Sequence, residues 1–123
     1  MSEGRLVDAL RKHPNVRAVV PVHFAGLPCD MPAIKSASDA AGAVVIEDAA
    51  HALGARYPDG QRVGCCAHSL MAVFSFHPVK NIATGEGGMI TTNDEAIYPG
   101  VERAAARALR LRRRDGALRP VSR

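Results

Sequence analysis

The sequence predicts an α/β fold on a mainly parallel sheet, and three observations carry that expectation. Val16–Val22 and Ala43–Glu47 are apolar, β-branched runs, and the stretch between them has the start and stop signals of a helix. A strand, a helix and a strand within about 32 residues make a βαβ unit, whose strands run parallel. Further on, Ser69–Phe76 is apolar at nearly every position, the pattern of a strand covered on both faces.

The elements follow in order. Leu6, Val7 and Leu10 recur at helical spacing over residues 3–12, and Pro14-Asn15 ends the pattern. Val16–Val22 is the first strand. Pro21 cannot donate to a ladder, so the strand stops there or leaves that side unpaired. Phe24–Pro28 is a loop. Asp30 is a side-chain N-cap for a helix from Met31 to about Ala41, with Pro32 in its first turn and Gly42 as its stop. Ala43–Glu47 is the second strand. Residues 55–64 read as a hairpin around Asp59-Gly60. Ser69–Phe76 is the third strand and Met89–Thr92 the fourth, after which Asn93-Asp94 caps a last helix. Pro99-Gly100 is expected to interrupt that helix. This gives a core domain over 1–98 and a basic Arg/Ala-rich tail over 99–123, helical or disordered.

Composition narrows the function classes. At 123 residues the chain suffices for one domain with a modest core. It has no apolar run near the roughly 20 residues that span a membrane and nothing resembling a signal peptide, so a cytoplasmic location is expected. Cys29, Cys65 and Cys66 are odd in number and two are adjacent, which is no disulfide framework. Four histidines (His23, His51, His68, His77) join them without metal-ligand spacing, so no metal site is expected. The net charge of +4 is segregated: residues 1–99 carry 8 Lys/Arg against 10 Asp/Glu, whereas 100–123 carry 8 Arg against Glu102 and Asp115. No aromatic lies beyond Tyr98, so the tail offers generic electrostatic contact rather than specific nucleic-acid recognition.

Two positions carry chemistry. Asp48 falls at the carboxyl end of the second strand, the edge where ligands gather in open α/β sheets. An N-cap on a short helix starting at Ala49 is an equally good reading of it. Lys80 lies between the third strand and the cluster Gly85-Glu86-Gly87-Gly88. An acid at one strand end and a lysine after a later strand can hold pyridoxal 5'-phosphate, the amine by a covalent bond and the carboxylate at the protonated pyridine nitrogen. Desolvation and a nearby cationic cofactor would lower such an amine's pKa. Out of context, Lys80 would be a solvated surface residue and Ser75 a satisfied core hydroxyl.

Four stretches together resemble a known family: His23-Phe24-Ala25-Gly26, Glu47-Asp48-Ala49-Ala50-His51-Ala52-Leu53-Gly54, Phe74-Ser75-Phe76-His77-Pro78-Val79-Lys80 and Gly85-Glu86-Gly87-Gly88. In order and spacing they are similar to the DegT-type nucleotide-sugar aminotransferases of fold type I, most of all those aminating UDP-linked 4-keto-deoxysugars for surface polysaccharides. The resemblance covers about Val16 to Asp94. It implies a three-layer α/β/α large domain and pyridoxal 5'-phosphate as cofactor. It also implies a nucleotide-sugar substrate, an amino-acid donor such as glutamate, and a homodimer. By the same resemblance Lys80 would be the catalytic lysine that carries the cofactor and shuttles protons. Asp48 would pair with the pyridine nitrogen, His51 would lie near the ring and its 3′-oxygen, and Ser75 would donate to the phosphate. His23, His77, Asn81 and Glu86 are left as supporting positions.

A family subunit is about three times this length, so a fragment of the large domain is expected, one that turns over poorly alone. The Arg/Ala-rich run after Tyr98 departs from the family pattern and reads as out-of-frame sequence. Two alternatives stand beside the enzyme fragment: a catalytically inactive remnant or interaction module of the same ancestry, and a small basic-tailed binding protein.

Overall fold

The computed structural model describes residues 2–104. Two units are distinguished, the first ending at Asn93 and the second beginning at Asp94. The first holds helix α1 (Glu3–Lys12), strand β1 (Ala18–Val19), helix α2 (Met31–Ala40) and strands β2 (Val44–Asp48), β3 (Met71–Ser75) and β4 (Gly88–Thr91).

The strands form one sheet in the order β1-β2-β3-β4. β1–β2 and β2–β3 are parallel, and β4 closes the edge antiparallel to β3. The βαβ reading therefore holds, with a mostly parallel sheet. β1 is shorter than Val16–Val22 because Pro21 has no N–H to give, and pairing resumes only as a single bridge from Val22 to Asp48. Pro21 still contributes its carbonyl, which accepts from Asp48 N–H at 2.9 Å.

α2 begins and ends where its signals lie. Asp30 Oδ1 accepts from Ala33 N–H at 3.2 Å, and Pro32 occupies the first turn. Met31, Ile34 and Ser38 point inward from it, and Leu6 and Leu10 do so from α1. With Val19, Val45, Ala72 and Phe74 these residues form the core on one side of the sheet.

The opposite side is different. Burial alternates along β2 and β3, so Val45, Glu47, Ala72 and Phe74 are covered while Val44 and Val73 are exposed. Val20, Val22 and Ile90 are exposed as well. This corrects the expectation that β3 is buried on both faces, since Val73 in its middle is exposed. The mixed, mostly parallel sheet with its helices is the α/β architecture the sequence predicts.

The 55–64 hairpin exists as a turn with one bridge, Arg56 to Arg62, and not as paired strands. Tyr57 N–H donates to Gln61 O and Val63 N–H to Ala55 O. In the second unit Asp94 Oδ1 accepts from Ala96 N–H in a turn, and residues 98–104 are helical. Pro99-Gly100 therefore lies in the first turn of this helix rather than breaking one. Proline is tolerated there because the first helical N–H groups have no partner to lose. The tail beyond residue 104, expected to be helical or disordered, lies outside the described residues.

Candidate functional site

β2 and β3 are parallel, so their carboxyl ends meet at one edge of the sheet. Asp48 is the last residue of β2 and pairs with Val73, and Ser75, two residues further along β3, is its last residue. Period-two alternation puts Asp48, Val73 and Ser75 on the same, uncovered face. The chain then runs from Ser75 into the 76–87 loop that contains Lys80 and returns as β4.

Asp48 is half-buried, and its backbone is held from both sides. Its N–H donates to Pro21 O at 2.9 Å, its carbonyl accepts from His23 N–H at 3.0 Å, and Ala49 N–H donates to Val73 O at 2.9 Å. Its Oδ1 accepts from Ala50 N–H at 3.1 Å. The N-cap alternative is thus met only in miniature, because residues 49–52 form turns and not a helix. His51 sits on that turn, exposed, with its ring 5.9 Å from that of Phe24. A Cβ on Gly26 would stand 3.3 Å from His51 O, so the Phe24–Gly26 loop packs closely against this turn.

Ser75 Oγ accepts from His77 N–H at 3.4 Å, which leaves the hydroxyl proton available to an anion. Lys80 is half-buried in a turn closed by its own N–H to His77 O at 2.9 Å. The loop is cinched at its neck, where Phe76 N–H donates to Gly87 O and Thr84 N–H to Phe76 O. Asp48, His51, Ser75 and Lys80 make no direct hydrogen bonds to one another among the described residues. Asp48 and Ser75 share the sheet edge, and His51 and Lys80 lie on the turn and the loop that follow those two strands. A carboxylate, a primary amine and a free hydroxyl proton there match the pyridine nitrogen, aldehyde and phosphate of pyridoxal phosphate, so the donor set fits that group. His23, left as a supporting position, is fully buried, and His77, Asn81 and Glu86 are exposed around the loop.

The residues above do not include the most heavily bonded side chain in the unit. Glu47, 1% exposed, points to the covered face next to Asp48. Its Oε2 accepts from His23 Nε2 at 2.7 Å and from the Tyr57 hydroxyl, and its Oε1 accepts from the Ser69 hydroxyl. His23 Nδ1 accepts from Cys29 N–H at 3.1 Å, so the ring is the neutral Nε2–H tautomer. Burial alone would push the Glu47 carboxyl up, but hydrogen bonds from His23, Ser69 and Tyr57 outweigh it and hold the group below the usual carboxylate value. Burial, followed by the bond to Glu47 and its charge, raises the Tyr57 phenol. The signal available in sequence was alternation: Glu47 follows Val45 by two residues and must share its covered face.

Comparison with known proteins gives the family of the chain. The DegT/DnrJ/EryC1/StrS aminotransferase family matches residues 8–114, wider on both sides than the stretch spanned by the four motifs. Among solved structures, PseC of Helicobacter pylori, an aminotransferase involved in the biosynthesis of pseudoaminic acid, is 34% identical. It aligns over 76% of this chain and 25% of its own, with a TM-score of 0.66. DesV of S. venezuelae, in complex with a ketimine intermediate, is 35% identical over 99% of this chain and 30% of its own, with a TM-score of 0.70. The PLP-form of Spr1654 from Streptococcus pneumoniae is 28% identical over 84% of this chain and 29% of its own, with a TM-score of 0.68. The chain spans less than a third of the length of each. Among the described residues no helix is long and apolar enough to cross a membrane, and no three His, Cys, Asp or Glu side chains group to hold a metal ion.

Proposed function

Because the chain belongs to the DegT/DnrJ/EryC1/StrS aminotransferase family, whose members depend on pyridoxal phosphate, we propose that it carries the cofactor-binding edge of a sugar aminotransferase. The reaction is transfer of an amino group from an amino acid, glutamate by preference, to a nucleotide-linked keto-sugar bound for a surface polysaccharide. One observation supports this most: Asp48 and Ser75 lie on one face at the carboxyl ends of two parallel strands, and the chain leaves Ser75 for the loop that contains Lys80.

When bound, pyridoxal phosphate supplies an electron sink for the carbon that exchanges its amino group. The protein's tasks are to orient and to move protons. Asp48, already aligned by Ala50 N–H, would hold a proton on the ring nitrogen through its carboxylate. Ser75 Oγ–H would donate to the phosphate, and His51 would help to hold the ring. Lys80 Nζ would hold the cofactor's aldehyde carbon and, when free, would carry the proton at the reacting carbon. The open apolar face of Val20, Val22, Val44, Val73 and Ile90 favours a second reading, a non-catalytic module that pairs with another polypeptide.

Titration of the purified chain with pyridoxal phosphate, followed by borohydride, tests the first reading. The expected result is a trapped adduct on the peptide containing Lys80 that Lys80→Ala lacks. Labelling equal in wild type and variant refutes it. Turnover of a keto-sugar with an amino donor then separates enzyme from module.

A further inference from the structure

Glu47 and Asp48 are consecutive, yet the sheet sends them to opposite faces. The Glu47 carboxylate gathers three separate segments: the turn after β1 through His23, the 55–63 turn through Tyr57, and the entry to β3 through Ser69. Two of the three also hold the Asp48–Ala49 peptide unit through the backbone. His23 N–H donates to Asp48 O, and the strand that Ser69 leads into presents Val73 O to Ala49 N–H. The side chain on the covered face therefore clamps the segments that hold the Asp48 peptide units in register.

We propose that Glu47 is a positioning residue for Asp48: its buried carboxylate, bound by His23, Tyr57 and Ser69, fixes the strand end from which Asp48 meets the ring nitrogen of pyridoxal phosphate. The proposal rests on the cofactor reading above. It differs from a role in stability alone. A stabilising residue supports the whole unit evenly, whereas this one acts on a few named bonds. Glu47→Gln keeps the shape but removes the charge and one acceptor oxygen. The amide must then turn its NH2 toward one of three donors.

Two measurements on the full chain test it. The first needs no cofactor: amide hydrogen exchange in wild type and Glu47→Gln. Exchange at Asp48, Ala50 and His23 is expected to quicken by about tenfold more than at the α1 amides, the scale of one lost charge-assisted bond. Equal acceleration throughout, or none, overturns the proposal. The second compares binding of pyridoxal phosphate with its deaza analogue, in which carbon replaces the ring nitrogen. Glu47→Gln is expected to weaken the first by about tenfold and the second by no more than about twofold, because only the first uses Asp48. Equal weakening of both, or of neither, overturns the proposal. If the wild-type chain binds neither, the cofactor reading falls and exchange alone decides the role of Glu47. Should Glu47→Gln fail to fold, Ser69→Ala removes a single donor and is read by the same criteria.

Discussion

The β3–β4 hairpin that carries the Lys80 loop is held by two glycines for two different reasons, and substitution separates them. A Cβ placed on Gly88 would lie 2.7 Å from the carbonyl oxygen of Phe74, about 0.7 Å inside ordinary contact. The obstacle is backbone in the middle of the sheet, so it cannot rotate aside. Gly85 has nothing within 4 Å of its Cβ position but a φ of +81°. Gly88→Ala should behave as overpacking and cost about 1–3 kcal/mol. Gly85→Ala meets only the left-handed penalty of roughly 1–2 kcal/mol, reduced by ~0.4–1 kcal/mol from the restricted unfolded chain. Asparagine tolerates the left-handed region and should restore much of the loss at Gly85 and none at Gly88.

The assay is urea unfolding of the full chain by far-ultraviolet circular dichroism, with the m-value checked for constancy. A loss of 1 kcal/mol also lowers Tm by about 4–8 °C for a domain of 60–100 residues. Because Gly88 pairs with Ser75 across the ladder, Gly88→Ala should further shift the amide resonances of Ser75 and Phe76, which Gly85→Ala leaves in place. If Gly88→Ala lies within about 0.5 kcal/mol of wild type, the range of an ordinary surface change, the ladder yields easily and the close-approach argument is wrong. If Asn rescues both positions, the distinction between space and φ fails.

Tyr57→Phe strips one donor from a buried carboxylate and should cost about 1.5–3 kcal/mol in the same unfolding assay. Glu47, held low in the folded chain, contributes stability that is present above its unfolded value of about 4.3 and lost as pH falls through the folded value. An acid titration of the urea midpoint should show a step that Glu47→Gln lacks. Tyr57, raised in the folded chain, contributes stability that is present below the unfolded value of about 10 and lost at higher pH. Absorbance of tyrosinate should show a Tyr57 phenol that ionises only on unfolding, a step that Tyr57→Phe lacks. Phe74→Ala, in the core between β3 and the 62–66 turn, should cost about 3–5 kcal/mol and abolish cooperative unfolding if the unit's total stability is smaller.

Local signals placed the elements well where backbone chemistry is decisive. Asp30 with Pro32 marked the start of α2, and the spacing of two strands around one helix gave parallel pairing. Sequence misled where a decision depends on what lies across the sheet. The apolar run of β3 could not reveal that Val73 is exposed, since a strand's periodicity reports its residues and not its neighbours. Pro99 was ambiguous in the same way: it can end one helix or begin the next, and the turn formed by Asp94 and Ala96 decides for a beginning. At the candidate site, Asp48, Ser75 and Lys80 could be proposed from sequence because their motifs are contiguous. His23, Glu47, Tyr57 and Ser69 span 47 residues of chain and come together only through the fold.

Counting donors explains why Asp48, and not its neighbour, is suited to a cationic ring. A carboxylate offers about four acceptor sites. Glu47 fills three of them with His23, Tyr57 and Ser69 and lies in a region that is closed to solvent. A ligand cation there would have to displace buried donors from the carboxylate. Asp48 accepts one backbone N–H, from Ala50, and turns toward the uncovered face. Its remaining acceptor capacity is open to a ligand, and its orientation is set by a bond that a ligand does not compete for. A Glu47→Asp, Asp48→Glu exchange keeps the charge and the composition but reverses the order of the two acids, and it should lose both functions. The shorter acid cannot span the three donors, and the longer one leaves the Ala50 turn. The exchange is therefore expected to lower the urea midpoint and pyridoxal phosphate affinity together, while the single change Asp48→Glu lowers affinity alone. Loss of midpoint in Asp48→Glu equal to that in the exchange would mean that the turn, and not the buried carboxylate, holds this edge of the sheet.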